Sequence, residues 1–187
     1  MTVYAQVTAR VWSNACARGA LLATGGALVM AALAQIRIDL FMVPITLQTL
    51  GVLALAAFLG PRIAAAALAE YLLLGLAGVP WFAGGKGGLL ALAGPTGGYM
   101  LAFPVAAFVS GWLYVRLRHG AYVRQFAGTL LAGLAGAVVI QLGGTAWLSV
   151  LFFRGDLPAA ALVGCAPFLL VDALKALVVA SAVAGRK

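Results

Sequence analysis

Asp172 and Lys175 stand three residues apart in an otherwise apolar run, Pro167-Phe-Leu-Leu-Val-Asp-Ala-Leu-Lys175. That spacing puts both side chains on one helix face, within reach of each other. With a helix starting near Pro167, Asp172 lies about 8 Å and Lys175 about 12 Å below its end, at 1.5 Å per residue. A charge at such depth in a bilayer costs at least about 2.5–3.5 kcal/mol on insertion scales, so both should face a protein interior. A paired carboxylate and ammonium still leave acceptors and donors for a polar solute; the plain alternative is a structural ion pair. Glu70 is a third charge in an apolar run. It could line a cavity, pair with an arginine, or be neutral through a raised pKa.

Other polar and small residues gather in a few segments. Trp81-Phe-Ala-Gly-Gly-Lys-Gly-Gly88 and Gly94-Pro-Thr-Gly-Gly98 hold enough glycine for tight turns and close backbone approach to a ligand. They are not a nucleotide loop, since Lys86 is followed by Gly87 rather than by Ser or Thr. Thr46 and Gln48 sit near a helix end, where capping accounts for the threonine and a helix–helix hydrogen bond for the glutamine. Ala23, Ala27 and Ala31 recur every four residues and permit close helix packing, within the chain or with a partner. His119 is the only histidine, and the two cysteines, Cys16 and Cys165, match no metal spacing, so no metal site is expected.

The elements that hold these residues follow from composition. Of 187 residues, 65% are hydrophobic and 9% charged, with a mean hydropathy of +1.11. A soluble domain cannot hide so much apolar surface, so the excess should face lipid. The apolar runs are continuous rather than alternating, which favours helices over an outer-membrane barrel. The expected class is an all-α integral membrane protein forming one domain. Six transmembrane helices are expected at about residues 19–36, 44–59, 62–79, 99–115, 126–151 and 166–184. Pro167 suits the first turn of the last, and Pro158–Cys165 reads as a short helix at the outer surface.

Counting Lys and Arg in the links gives the orientation. One side holds Arg10, Arg18, Arg62, Arg116, Arg118, Arg124, Arg186 and Lys187; the other holds Arg37, Lys86 and Arg154. Eight against three places both termini inside, in a cytoplasmic-type cell membrane. Cys16 and Cys165 then lie on opposite sides and no disulfide is expected. The formal net charge of +8 belongs to this topology and not to nucleic-acid binding. The first apolar run is long enough to span, and no cleavable leader is expected ahead of it. The outer links are the longer ones, Gly-rich and apolar, as loops folded over a site would be.

The run Val43-Pro-Ile-Thr-Leu-Gln-Thr-Leu50, then Tyr71-Leu-Leu-Leu-Gly-Leu-Ala-Gly-Val-Pro80, Phe82-Ala-Gly-Gly85 and Gly94-Pro-Thr-Gly-Gly-Tyr99 resembles the BioY family. The late Pro167-Phe…Asp172…Lys175 block matches as well. That family comprises the biotin-binding S components of energy-coupling-factor (ECF) transporters. The resemblance implies an S-component fold that captures biotin from outside, works with a transmembrane T subunit and two ATPases, and is not an enzyme. By the same resemblance, Asp172 accepts from the ureido N–H groups and Lys175 donates to a ligand oxygen. Gly97, Gly98 and Tyr99 become wall residues, Thr46 and Gln48 line the entrance, and Lys86 partners the carboxylate. Trp81, Phe82, Tyr99 and Phe103 offer aromatic walls of the kind a small, mostly apolar ligand needs. The stripe Ala23, Ala27, Ala31 is the expected T-subunit contact. Biotin is expected as a transported ligand, with no cofactor.

Three rivals were weighed against this reading: an S component for another vitamin, an intramembrane enzyme, and a small channel or structural bundle. No Ser-His pair and no paired-aspartate motif supports the enzyme.

Overall fold

A backbone amide in lipid has no water to bond, so an apolar run satisfies its amides within its own helix. The computed structural model describes residues 14–39 and 42–184. Within them α1 covers Ala15–Gln35, α2 Gln48–Leu59, α3 Pro61–Leu76, the single turn α4 Leu89–Leu92, and α5 Gly97–Leu117. Then come α6 Tyr122–Phe152, α7 Leu157–Gly164 and α8 Ala166–Val183. Between α1 and α2 two short strands, β1 (Arg37–Ile38) and β2 (Ile45–Thr46), pair antiparallel with Arg37 opposite Thr46. Among the described residues α1, α5, α6 and α8 are long and apolar enough to cross a membrane. The 12 residues of α2 and 16 of α3 reach only about 18 and 24 Å.

Helix ends obey local chemistry. The Asn14 side chain accepts from Cys16 N at 3.1 Å to start α1, and Asp156 accepts from Ala159 N at 3.0 Å to start α7. Pro167 occupies the first turn of α8, where its missing N–H costs nothing. The short helix expected before it is α7. Gly60 alone joins α2 to α3; its φ of +78° is left-handed, which an L side chain resists, and Pro61 then opens α3.

Several boundaries differ from expectation: α1 starts at Ala15 rather than 19, and α3 ends at Leu76 rather than 79. The span expected from residue 44 becomes helical only at Gln48, because Ile45 and Thr46 spend their backbone groups on β1. The helix expected from residue 126 starts at Tyr122 and runs 31 residues, about 46 Å. That exceeds the roughly 30 Å hydrocarbon thickness, so its polar first turn can stand outside the lipid.

Small residues bring the helices together. A side chain at Gly98 would run into Trp147 and the Gly143 carbonyl, and one at Gly128 into Leu117. The start of α5 therefore lies beside the end of α6, and the end of α5 beside the start of α6. α1 packs chiefly on α3, and a Cβ at Gly26 would meet Ala67 at 2.9 Å. Ala23 and Ala27 are buried in this packing and Ala31 is half-buried. The stripe expected to meet a T subunit is thus taken up by the chain's own core, and Leu21, Leu28 and Val29 form the outward face of α1.

Candidate functional site

In α8, Asp172 and Lys175 face inward, 3% and 7% exposed. Lys175 Nζ donates to Asp172 Oδ1 at 2.9 Å. The other carboxylate oxygen, Oδ2, accepts from Gln141 Nε2 of α6 at 2.6 Å. So the pair is one end of a three-residue chain that ties α6 to α8. Each partner keeps unused capacity. The carboxylate has about four lone-pair sites and two occupants, the ammonium three protons and one acceptor. Gln141 Oε1 is buried and has no partner at all. A buried acceptor left unmet costs about 1–3 kcal/mol, so it marks a place where something else should bind.

Two adjoining cavities lead to this chain. The inner cleft, about 40 Å³, is lined by Tyr99, Phe103, Ile140, Gln141, Phe168 and Lys175, with Thr46, Thr49 and Thr96 on its polar side. Its volume is about one water's share of liquid, roughly 30 Å³, so a ligand must push its walls apart. The outer cavity, about 450 Å³, is lined by Arg37, Asp39, Phe82, Lys86 and Pro95 among others. Pro44, Gln48, Thr96 and Met100 line both, which makes the two one tapering track. Along it the chemistry changes from a charged mouth, through apolar walls, to the buried polar chain.

A larger groove of about 570 Å³ touches Gln141 and Asp172 from the other side, between α6, α7 and α8. Its rim is Val138, Leu142, Leu157 and Leu169, all pointing out of the bundle. A polar solute there would have one flank in lipid, so acyl chains are its natural filling; Asp172 lines this groove, while Gln141 and Lys175 line the tapering track.

The aromatic walls are themselves held. Tyr99 Oη donates to the Gly164 carbonyl at 2.5 Å, linking α5 to the end of α7. Its ring lies 6.4 Å from that of Phe168, and a side chain at Gly144 would overlap it. Thr46 Oγ1 accepts from Gln48 N at 3.3 Å and donates to Gln48 Oε1 at 3.1 Å, a local turn just before α2. Gln48 Nε2 donates to Tyr71 Oη at 3.1 Å, so it is a helix–helix link that also lines the track.

The Gly-rich loop is clamped from α1. Gln35 Nε2 donates to the carbonyls of Trp81 at 3.0 Å and Phe82 at 3.3 Å, and its Oε1 accepts from Gly85 N at 3.2 Å. Gly84 and Gly85 take φ of +78° and +67°, and a side chain at Gly84 would strike the Arg37 guanidinium. Arg37 pairs with Asp39 at 3.2 Å. Lys86 is exposed at the mouth, where β-bridge geometry with Phe82 holds its backbone. Burial pushes the Cys165 thiol up in pKa, and the Asp172 charge adds to the shift.

Several expected wall residues do other work. Gly97 and Gly98 do not line the track; side chains there would meet Leu92, Trp147 and Gly143, so they are the contact surface of α5 on α4 and α6. Trp81 stacks on Tyr71 at 5.5 Å and donates from Nε1 to the Tyr71 carbonyl at 2.9 Å. It therefore buttresses the loop, while Phe82 faces the outer cavity. Glu70 is half-buried on α3, forms no ion pair among the described residues, and lines neither part of the track. No group of three or more His, Cys, Asp or Glu among the described residues could hold a metal ion. Sequence reasoning missed Gln141, Gln35, Thr96 and Tyr71. The signal for Gln141 was available: it is the only strongly polar side chain within the apolar run 126–151.

Known proteins bear on this geometry. The family model described as "BioY family" matches residues 5–187. "Biotin transporter BioY2" of Lactococcus lactis subsp. cremoris is 35% identical over 154 residues, covering 82% of this chain and 81% of the relative. "Biotin transporter BioY" of Thermotoga maritima is 41% identical over 153 residues, covering 82% and 85%. A solved crystal structure described as the S-component for biotin from an ECF-type ABC transporter superimposes with a TM-score of 0.75. It covers 98% of this chain and 92% of its own at 24% identity, a shared fold. With a matched model over nearly its whole length and relatives above one-third identity, this multi-pass membrane chain belongs to the BioY family.

Proposed function

We propose that this chain captures biotin from outside the cell as the S component of an ECF transporter. A T subunit and two ATPases energise the uptake. The single observation that carries the reading is the buried Gln141–Asp172–Lys175 chain, with spare acceptors and donors, closing a track through apolar walls. A ureido group offers two N–H donors and one carbonyl. Asp172 and Gln141 Oε1 supply two acceptors, and Lys175 supplies donors for the carbonyl. The apolar bicycle then lies among Tyr99, Phe103 and Phe168, and the carboxylate reaches toward Lys86 and Arg37. Thr46 and Gln48 set the neck between the two cavities. The chain itself carries out no chemistry on the ligand.

In this reading six helices cross a cytoplasmic membrane with both termini inside. α2 crosses among longer neighbours, and α3 turns Leu73 and Leu74 outward. The arginine distribution of the links supports the orientation.

Equilibrium binding of biotin to the detergent-purified protein tests the proposal, with Asp172→Asn alongside. Saturable binding lost in the variant is the expected result. Removing one partner from a buried pair leaves the other charge unmatched and costs about 3–5 kcal/mol. Absence of binding by folded wild type would remove biotin as the ligand. A panel of other vitamins competing against biotin separates this reading from an S component of different specificity.

A further inference from the structure

The end of the bundle away from the polar track holds a second cavity, about 420 Å³, that the ligand reading does not use. Four parts of the chain converge on it. Ala57 and Phe58 come from the end of α2, Arg118 and His119 from the link after α5, Thr129 from the start of α6, and Val183 from the end of α8. One wall is therefore apolar and the other carries a guanidinium and an imidazole.

Among the described residues no carboxylate answers the charge there. The chain's acidic residues are Asp39, Glu70, Asp156 and Asp172. Asp39 and Asp156 lie in links at the opposite end, Asp172 in the first half of α8, and Glu70 inside α3. Among the described residues the ion pairs are Arg37 with Asp39 and Lys175 with Asp172, so none neutralises Arg118. Arg116 is turned away, its guanidinium 3.9 Å over the Trp112 ring. A second observation is independent of charge. Thr129 is 1% exposed, lines this cavity, and its Oγ1 has no hydrogen-bond partner. Buried hydroxyls are ordinarily bonded, so this one marks an unmet group in the cavity wall.

We propose that this cavity holds the headgroup of an anionic phospholipid. Arg118 and His119 meet the phosphate, Thr129 donates to a phosphate or glycerol oxygen, and the acyl chains run along Phe58, Ala57 and Val183. The apolar wall and the location at one end of a membrane bundle select a lipid over free phosphate. Cations between helix ends are the usual means of headgroup recognition. The proposal rests on the chain being a membrane protein and not on its ligand.

Native mass spectrometry of the purified full chain, titrated with phosphatidylglycerol, phosphatidylcholine or inorganic phosphate, is the test. Wild type should retain one phosphatidylglycerol and hold phosphatidylcholine and inorganic phosphate far more weakly. The double variant Arg118→Gln, His119→Gln should lose about fivefold or more in phosphatidylglycerol affinity, since one arginine near the surface contributes roughly fivefold. Thr129→Val, which keeps the shape, should lose severalfold. Arg62→Gln removes the same charge from outside the cavity and should change affinity less than about twofold. An unfolding temperature within a few degrees of wild type shows that each variant is folded. Equal losses in Arg62→Gln and the double variant would overturn the proposal, as would equal retention of the two lipids. An inorganic phosphate adduct that displaces the lipid would overturn the lipid assignment.

Discussion

Replacing Gln141 by leucine should weaken biotin binding while leaving the protein folded, and the two effects can be worked out separately. Gln141 makes one bond in the free protein, Nε2 to Asp172 Oδ2 at 2.6 Å, and has one unmet acceptor, Oε1. The first bond exists with or without ligand, so its loss falls on stability. A hydrogen bond to a charged group contributes about 1.5–3 kcal/mol, partly recovered because leucine is apolar and of similar size. The second group acts only in the complex. Without Oε1 a ureido N–H is buried unpaired, which costs about 1–3 kcal/mol, or roughly 5- to 150-fold in Kd. Equilibrium dialysis with labelled biotin reads the second effect, and thermal unfolding of the free protein reads the first. Desthiobiotin, which keeps the ureido group, should lose affinity by the same factor. A stable Gln141→Leu protein that binds biotin within about twofold of wild type would refute the assignment of Oε1 to the ligand.

Other perturbations test the rest of the architecture. Ala27→Leu should destabilise by about 1–3 kcal/mol through overpacking, because Ala27 is fully buried; an unchanged unfolding temperature with lost uptake would restore the helix-1 stripe as a partner surface. Gly98→Val should disrupt the α5–α6 contact, where even one Cβ meets Trp147 and a carbonyl. It should lower thermal stability in the absence of biotin, and normal stability with weakened binding would return Gly98 to the site. Cys165 should react with maleimide near neutral pH more slowly than the exposed Cys16, compared in the single-cysteine variants Cys16→Ser and Cys165→Ser. Burial favours its protonated form, so its rate should go on rising with pH beyond the range where an ordinary thiol's levels off. Faster labelling at Cys165 would contradict that.

The membrane class, the helical segments and the inward-facing Asp172–Lys175 pair were legible because each depends on local composition or on a three-residue spacing. The Pro167 start was legible for the same reason. The Gly-rich links near Phe82 and Lys86 were readable as loops over a site, and the structure puts both residues at the mouth of the track. Gly97, Gly98 and Trp81 were placed by their motif rather than by their surroundings, and their surroundings give them packing duties.

What the sequence by itself determined is which segments are helices and which polar residues lie too deep to be idle. Apart from α8, whose Asp172–Lys175 pair marks its inner face, tertiary structure alone decided which way the helices turn about their axes. In a soluble helix a polar stripe marks the outside, but α1 and α5 are apolar nearly all round, so no such stripe fixes the rotation. Rotation is set instead by where glycine and alanine allow close approach, as Gly26 does against Ala67 and Gly98 against Trp147. That choice buried Ala23 and Ala27. It also brought Gln141 to Asp172 across 31 residues of chain, a meeting that no periodicity in either helix could announce.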